Sequence, residues 1–247
     1  DIYGIYKSAV AGTTTISNNT VGSASSANSL YASSQSTGNT QNVVGISNSG
    51  TGTIMISGNT IANLTNGSAN TNTNTLGKIN GIESANGTIS VTNNNIHDLI
   101  NGNAYIAASQ YSSVCGISLY GSLQKTVTGN TVYNLSNTYD SFAGNVIGIF
   151  LTAGLGNRIS ANFIHDLSVA LNSSAIISGI RAVSGSSTID NNIVSLSGTN
   201  KTYFIGIYEI GAAGSYNNIY FNTVYIGGSQ SSGSNFSAAL YSESATN

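Results

Sequence analysis

The stretch Val127-Thr128-Gly129-Asn130-Thr131-Val132-Tyr133-Asn134-Leu135 decides the fold, because its pattern recurs along the whole chain. An apolar residue is followed three positions on by Asn, and two positions later by a second apolar residue. The same order appears in Ile16-Ser17-Asn18-Asn19-Thr20-Val21, Ile56-Ser57-Gly58-Asn59-Thr60-Ile61, Val91-Thr92-Asn93-Asn94-Asn95-Ile96, Ile159-Ser160-Ala161-Asn162-Phe163-Ile164 and Ile219-Tyr220-Phe221-Asn222-Thr223-Val224. Thr188-Ile189-Asp190-Asn191-Asn192-Ile193 fits with Thr in the first apolar slot and Asn191 in the Asn slot. Alternating with these is a Gly-Ile pair, at Gly4, Gly45, Gly81, Gly116, Gly148, Gly179 and Gly206, with Ala239-Leu240 as a degenerate further copy. Successive glycines are 41, 36, 35, 32, 31 and 27 residues apart, the period of a stacked repeat.

Each unit reads as three short strands. Val44 with Ile46, Ile54 with Ile56, Ile89 with Val91 and Ile147 with Ile149 alternate at period two, which marks strands with one buried face. β-Branched residues dominate these segments, against a helical repeat. The third strand ends in Leu64, Leu99, Leu135, Leu167 or Leu196. So small a unit buries its apolar face only by stacking on its neighbours. At the bend between second and third strands, Asn tolerates the left-handed region better than most residues with a Cβ. Its amide can also bond to an Asn one coil above or below, at the roughly 4.8 Å strand spacing. Asn19, Asn59, Asn94, Asn130, Asn162, Asn191 and Asn222 are therefore expected to form a ladder. The absence of proline suits strands whose N–H and C=O groups pair with the coils on either side. Asn137 is expected in a surface arc, one of the connections that lengthen toward the N-terminus and include Ser/Asn/Thr-rich runs such as Asn70-Thr71-Asn72-Thr73-Asn74.

The Gly-Ile strand followed by Ile-Ser-x-Asn-Thr-Ile resembles the right-handed parallel β-helix repeat, over essentially the whole chain. Asn218-Ile219-Tyr220-Phe221-Asn222-Thr223-Val224-Tyr225 is similar to the Asn-rich versions found in large secreted or surface proteins of Bacteroidetes-type bacteria. The resemblance implies an all-β, right-handed parallel β-helix (β-solenoid) of about seven coils, with residues 1–247 as one domain. It also implies an extracellular or cell-surface location. Activity stays open, since the same repeat carries polysaccharide lyases and hydrolases, adhesins and phage spikes.

Composition narrows the choices. Hydrophobic residues make up 40% of the chain, enough to bury a sizeable core. Six basic and eight acidic side chains leave a net charge of −2, which argues against nucleic acid as a partner because no basic stripe is available to phosphates. No apolar run reaches the roughly 20 residues that span a bilayer. The single cysteine, Cys115, has no intrachain disulfide partner and is expected as an inert thiol in the inward column. Asp1-Ile2-Tyr3-Gly4-Ile5 and Ala238-Ala239-Leu240-Tyr241 both read as first strands without a polar cap. The chain is accordingly expected to be an internal segment of a longer protein, and to associate end to end in isolation.

Candidate chemistry is sparse. His97-Asp98 and His165-Asp166 look like acid-base pairs, but the same columns are read as holding Ala62-Asn63, Tyr133-Asn134 and Val194-Ser195, so the Asp/Asn position is expected to support a turn. The acids Asp1, Glu83, Asp98, Asp140, Asp166, Asp190, Glu209 and Glu243 form no Asp-Asp pair or acidic triplet of the kind that carbohydrate-cleaving β-helices use. No catalytic residue, metal ligand or cofactor is assigned. The outward column two residues after each Gly supplies Tyr6, Glu83, Phe150, Arg181 and Tyr208 as candidate glycan contacts, because aromatic faces can stack on sugar rings. The column after the corner Asn runs Thr20, Thr60, Asn95, Thr131, Phe163, Asn192 and Thr223, too irregular for an ice-binding array. The expected function is a non-catalytic extracellular structural or adhesive module contacting carbohydrate or other surface proteins. A polysaccharide-processing enzyme is the alternative.

Overall fold

Seven copies of the three-strand unit, and the first strand of another, stack in the structure. It is a computed structural model that describes residues 1–8, 10–37, 41–74, 77–106, 112–170, 174–198, 201–229 and 236–243. The fourth unit is representative: Val114–Leu119, Lys125–Thr128 and Thr131–Asn137. Like strands of successive units pair in parallel, so sheets 1 and 3 have eight strands and sheet 2 has seven. No described residue is helical. The fold class is a parallel β-helix.

Packing follows from which residues each strand turns inward. Ile82, Ile117, Ile149 and Ile180 of sheet 1 meet Ile56, Val91, Val127 and Ile159 of sheet 2, together with Ile96, Val132, Ile164 and Leu135 of sheet 3, in one continuous core. Val114, Ile117 and Leu119 all belong to that core although Gly116 stands between the first two. The ladder register passes from Cys115 to Ile117, leaving out the glycine. A Cβ on Gly116 would lie 2.4 Å from Val132 Cγ1 and 2.6 Å from the Gly148 carbonyl, so the column is glycine because sheets 1 and 3 touch there. Cys115 and its column mates, expected inward, consequently face outward. Cys115 and Ile147 are nonetheless buried, in a second small cluster with Phe150 and Val183.

The Asn ladder runs inside the bend from the first unit to the seventh. Nδ2 of Asn19, Asn59, Asn94, Asn130, Asn162 and Asn192 each donates to Oδ1 of the next member at 2.9 Å, ending on Asn222. The backbone N–H of Asn130 bonds the same Asn162 Oδ1 at 3.0 Å, and its Nδ2 also reaches the Val91 carbonyl at 2.9 Å. In the sixth unit the ladder residue is Asn192, which corrects the expectation of Asn191. Ile159 pairs with Ile189 and Ser160 with Asp190, so the unit aligns on Ile189 and not on Thr188. Asn191 sits one residue before the ladder at φ 56° and donates to Asp190 Oδ2.

A second inward ladder lies seven residues further on. Asn66, Asn101 and Asn137 end their third strands fully buried. Asn101 Nδ2 donates to the Gly77 carbonyl and Ser113 Oγ, and Asn137 Nδ2 to the Asn103 carbonyl and Ser113 Oγ. Asn137 is thus a structural residue, not a tolerant position in a surface arc. Between the two ladders, Asn63, Asp98, Asn134 and Asp166 take φ of 52–58° and drop out of the pairing register. That is the local turn expected of the Asp/Asn column, in the form of a bulge.

Candidate functional site

With the core closed, function falls to the three outer faces. On sheet 1 the predicted column is real: Tyr6, Ser47, Glu83, Ser118, Phe150, Arg181 and Tyr208 stand in register from coil to coil. Its exposure is not as expected. Phe150 is 0% and Arg181 1% exposed, so neither side chain is free to meet a glycan. Phe150 packs edge-on to Tyr120 at 5.6 Å, and the Arg181 guanidinium lies over the Tyr208 ring at 4.5 Å. Glu83 is held by Lys78 Nζ at 2.7 Å and Asn80 Nδ2 at 2.6 Å. Tyr6 is exposed beside Tyr3, 4.9 Å between centroids, and shares a hydrogen bond with Ser49. Tyr208 is half-buried, stacks near Tyr241 and donates its hydroxyl to Glu243. The candidate contacts therefore divide into two aromatic ends and a buried middle.

Burial also sets the ionisation of this face. It pushes the Cys115 thiol up to about 12, which keeps it protonated and unreactive. Loss of solvent lowers the Arg181 guanidinium to about 10. It raises the Tyr208 phenol to about 12, with the Glu243 hydrogen bond acting in the same direction.

Sheet 3 carries a stacked ring column. His97, Tyr133 and His165 lie parallel, with centroids 4.7 and 4.9 Å apart. Each imidazole bonds through Nδ1 to the bulge carboxylate that follows it, Asp98 at 2.6 Å and Asp166 at 2.7 Å. Asn134 also donates to Asp98. Tyr133 fills the space between the two His-Asp pairs, so they are separate pairs and not one shared centre. The local stereochemistry explains them: a short carboxylate in a left-handed bulge reaches the preceding side chain.

Sheet 2 presents hydroxyls. Ser17, Ser57, Thr92 and Thr128 are in register in one column, and Thr15, Met55, Ser90 and Thr126 in the next. The array ends where exposed Arg158 pairs with buried Asp190 at 3.1 Å. Beneath it, fully buried Lys125 replaces the Ile of the two preceding coils, and its Nζ caps the Gly121 and Leu123 carbonyls at 2.5 and 2.9 Å. Desolvation lowers its ammonium to about 8. At the far end of the stack a groove of about 650 Å³ opens between Glu209, Tyr216, Asn217, Ile219 and Leu240. Among the described residues, no three His, Cys, Asp or Glu side chains are grouped to hold a metal ion.

No family model matches this chain, and neither a curated protein nor a solved structure matches it. The protein is a parallel β-solenoid whose turns are held by buried side-chain ladders. No helix among the described residues is long and apolar enough to cross a membrane.

Proposed function

We propose that the chain is a non-catalytic structural or adhesive β-solenoid module, working outside the cell or on its surface. The observation that carries this reading is the unbroken Asn ladder, which bonds each unit to the next at 2.9 Å from Asn19 to Asn222. Each of the seven units is fixed to the next by side-chain amides, buried from Asn59 to Asn192, as well as by three sheets, which makes a rigid rod suited to spacing and display. Surface chemistry supports display over turnover: neutral hydroxyls, stacked rings and half-exposed tyrosines at the two ends of sheet 1. Tyr6 and Tyr208 are the candidate carbohydrate contacts that retain accessible ring surface. Incubation with a panel of plant, algal and bacterial polysaccharides should give binding that weakens in Tyr6→Ala and Tyr208→Ala, with no shortening of the polymers. Depolymerisation that disappears in Glu83→Gln would overturn the proposal in favour of an enzyme.

A further inference from the structure

Sheet 2 displays a registered set of hydroxyls that no other described residue uses. The column Ser17, Ser57, Thr92, Thr128 runs through four consecutive coils in strict register. Among the described residues the hydroxyls of this column have no hydrogen-bond partner, whereas their backbone carbonyls accept from the Asn ladder. Two residues earlier in the same strands, Thr15, Ser90 and Thr126 repeat the pattern, interrupted only by Met55. No charged side chain faces outward from these registered positions until Arg158 in the fifth coil.

Such a surface has defined recognition chemistry. Each hydroxyl both donates and accepts, and successive hydroxyls recur at the roughly 4.8 Å strand spacing along the stack. The ladder directly behind the Ser17 column fixes the backbone that carries it, so the array is rigid before it meets a ligand. A rigid array of weak, identical contacts gains strength only from a ligand that repeats on the same scale, since each further contact is then intramolecular. Soluble sugars are recognised by aromatic stacking and planar polar groups, and these two columns offer no ring. Crystalline water meets the requirement: it is neutral and periodic, and every surface oxygen donates or accepts.

We propose that the outer face of sheet 2, over the first four coils, adsorbs to ice. This assigns the face to the second strands, not to the column following the corner Asn. The 247-residue chain should show thermal hysteresis and slow ice recrystallisation at micromolar concentration. Thr92→Tyr, which raises a ring from the middle of the face, should abolish both effects while leaving the thermal melt unchanged. Thr131→Tyr, on the outer face of sheet 3, should leave both intact. Absence of hysteresis in the unmodified chain, or hysteresis undiminished in Thr92→Tyr, overturns the proposal. So does adsorption to cellulose or chitin particles through this face without any effect on ice.

Discussion

Asn130 bears more of the fold than any charged group near it. Its Nδ2 serves Asn162 Oδ1 and the Val91 carbonyl, and its own Oδ1 accepts from Asn94. Asn130→Leu removes these bonds and strands buried partners, and should cost about 2–4 kcal/mol in denaturant unfolding. Asn137→Leu should cost a comparable amount, because its amide bonds Asn103 and Ser113 in full burial. Exposed Asn74→Leu should stay within about 0.5 kcal/mol; equal effects at all three positions would contradict the two-ladder register. Lys125 supplies a pH signature. Its folded ammonium is lowered to about 8 against an ordinary 10.5, so between those values the unfolded chain binds more protons than the folded one. Stability from this group therefore rises with pH across that window, by at most about 3 kcal/mol. Chemical unfolding at pH 7 and pH 10 should show the rise in the native chain relative to Lys125→Met. That comparison cancels the opposite contributions of the raised Cys115 and Tyr208 groups. Parallel pH dependences in the two proteins would contradict the buried charge.

At the scale of elements, the glycine column and the bulge column decide how the strands lie. A Cβ on Gly148 would stand 2.5 Å from Ile164 Cγ2 and 2.6 Å from the Gly179 carbonyl. Gly148→Ala should therefore cost about 1–3 kcal/mol through overpacking, measured as a lower unfolding midpoint. The strands and first ladder were legible because apolar alternation and corner Asn recur together. Asn192 is hard to tell from Asn191 in the sequence because the two are adjacent and Ile193, an outward residue 49% exposed, occupies the slot of an inward apolar one. The signal that separates them is Ile189, which pairs with Ile159. The second ladder left a signal in the constant seven-residue step from Asn59 to Asn66, Asn94 to Asn101 and Asn130 to Asn137. The burial of Phe150 and Arg181 left none in the repeat, because periodicity distinguishes the two faces of a strand but not a covered outer face from a bare one. The facing of Cys115 is hidden for a different reason: Val114 and Ile117 both point inward although three residues apart, because Gly116 drops out of the register, and this breaks strict alternation.

For the whole molecule, the decisive property is that the stack is polar. Ladder bonds all run one way, each Asn donating to Oδ1 of the next, so among the described residues no Oδ1 follows to serve the Asn222 backbone N–H and no Asn precedes Asn19 to use its Oδ1. Sheets 2 and 3 finish in Asn217–Tyr220 and Thr223–Gly228, strands paired on one side only among the described residues. Exposed Tyr220 and Phe221 flank this edge, and a groove of about 360 Å³ lies between Ile207, Ile219, Val224 and Leu240. A donor end and an acceptor end on one rod form a heterologous pair, which propagates head to tail without closing. Open strand edges add backbone hydrogen bonds to the same contact. The isolated 247-residue chain should therefore self-associate end to end, with an average mass that climbs with concentration in sedimentation experiments. Val224→Lys, which places a charge at the open edge, should return it to the monomer mass without altering the melt of the inner coils. A native chain that stays monomeric at every concentration, with slow amide exchange in the first and seventh units, would mean that its ends are closed by contacts other than those described.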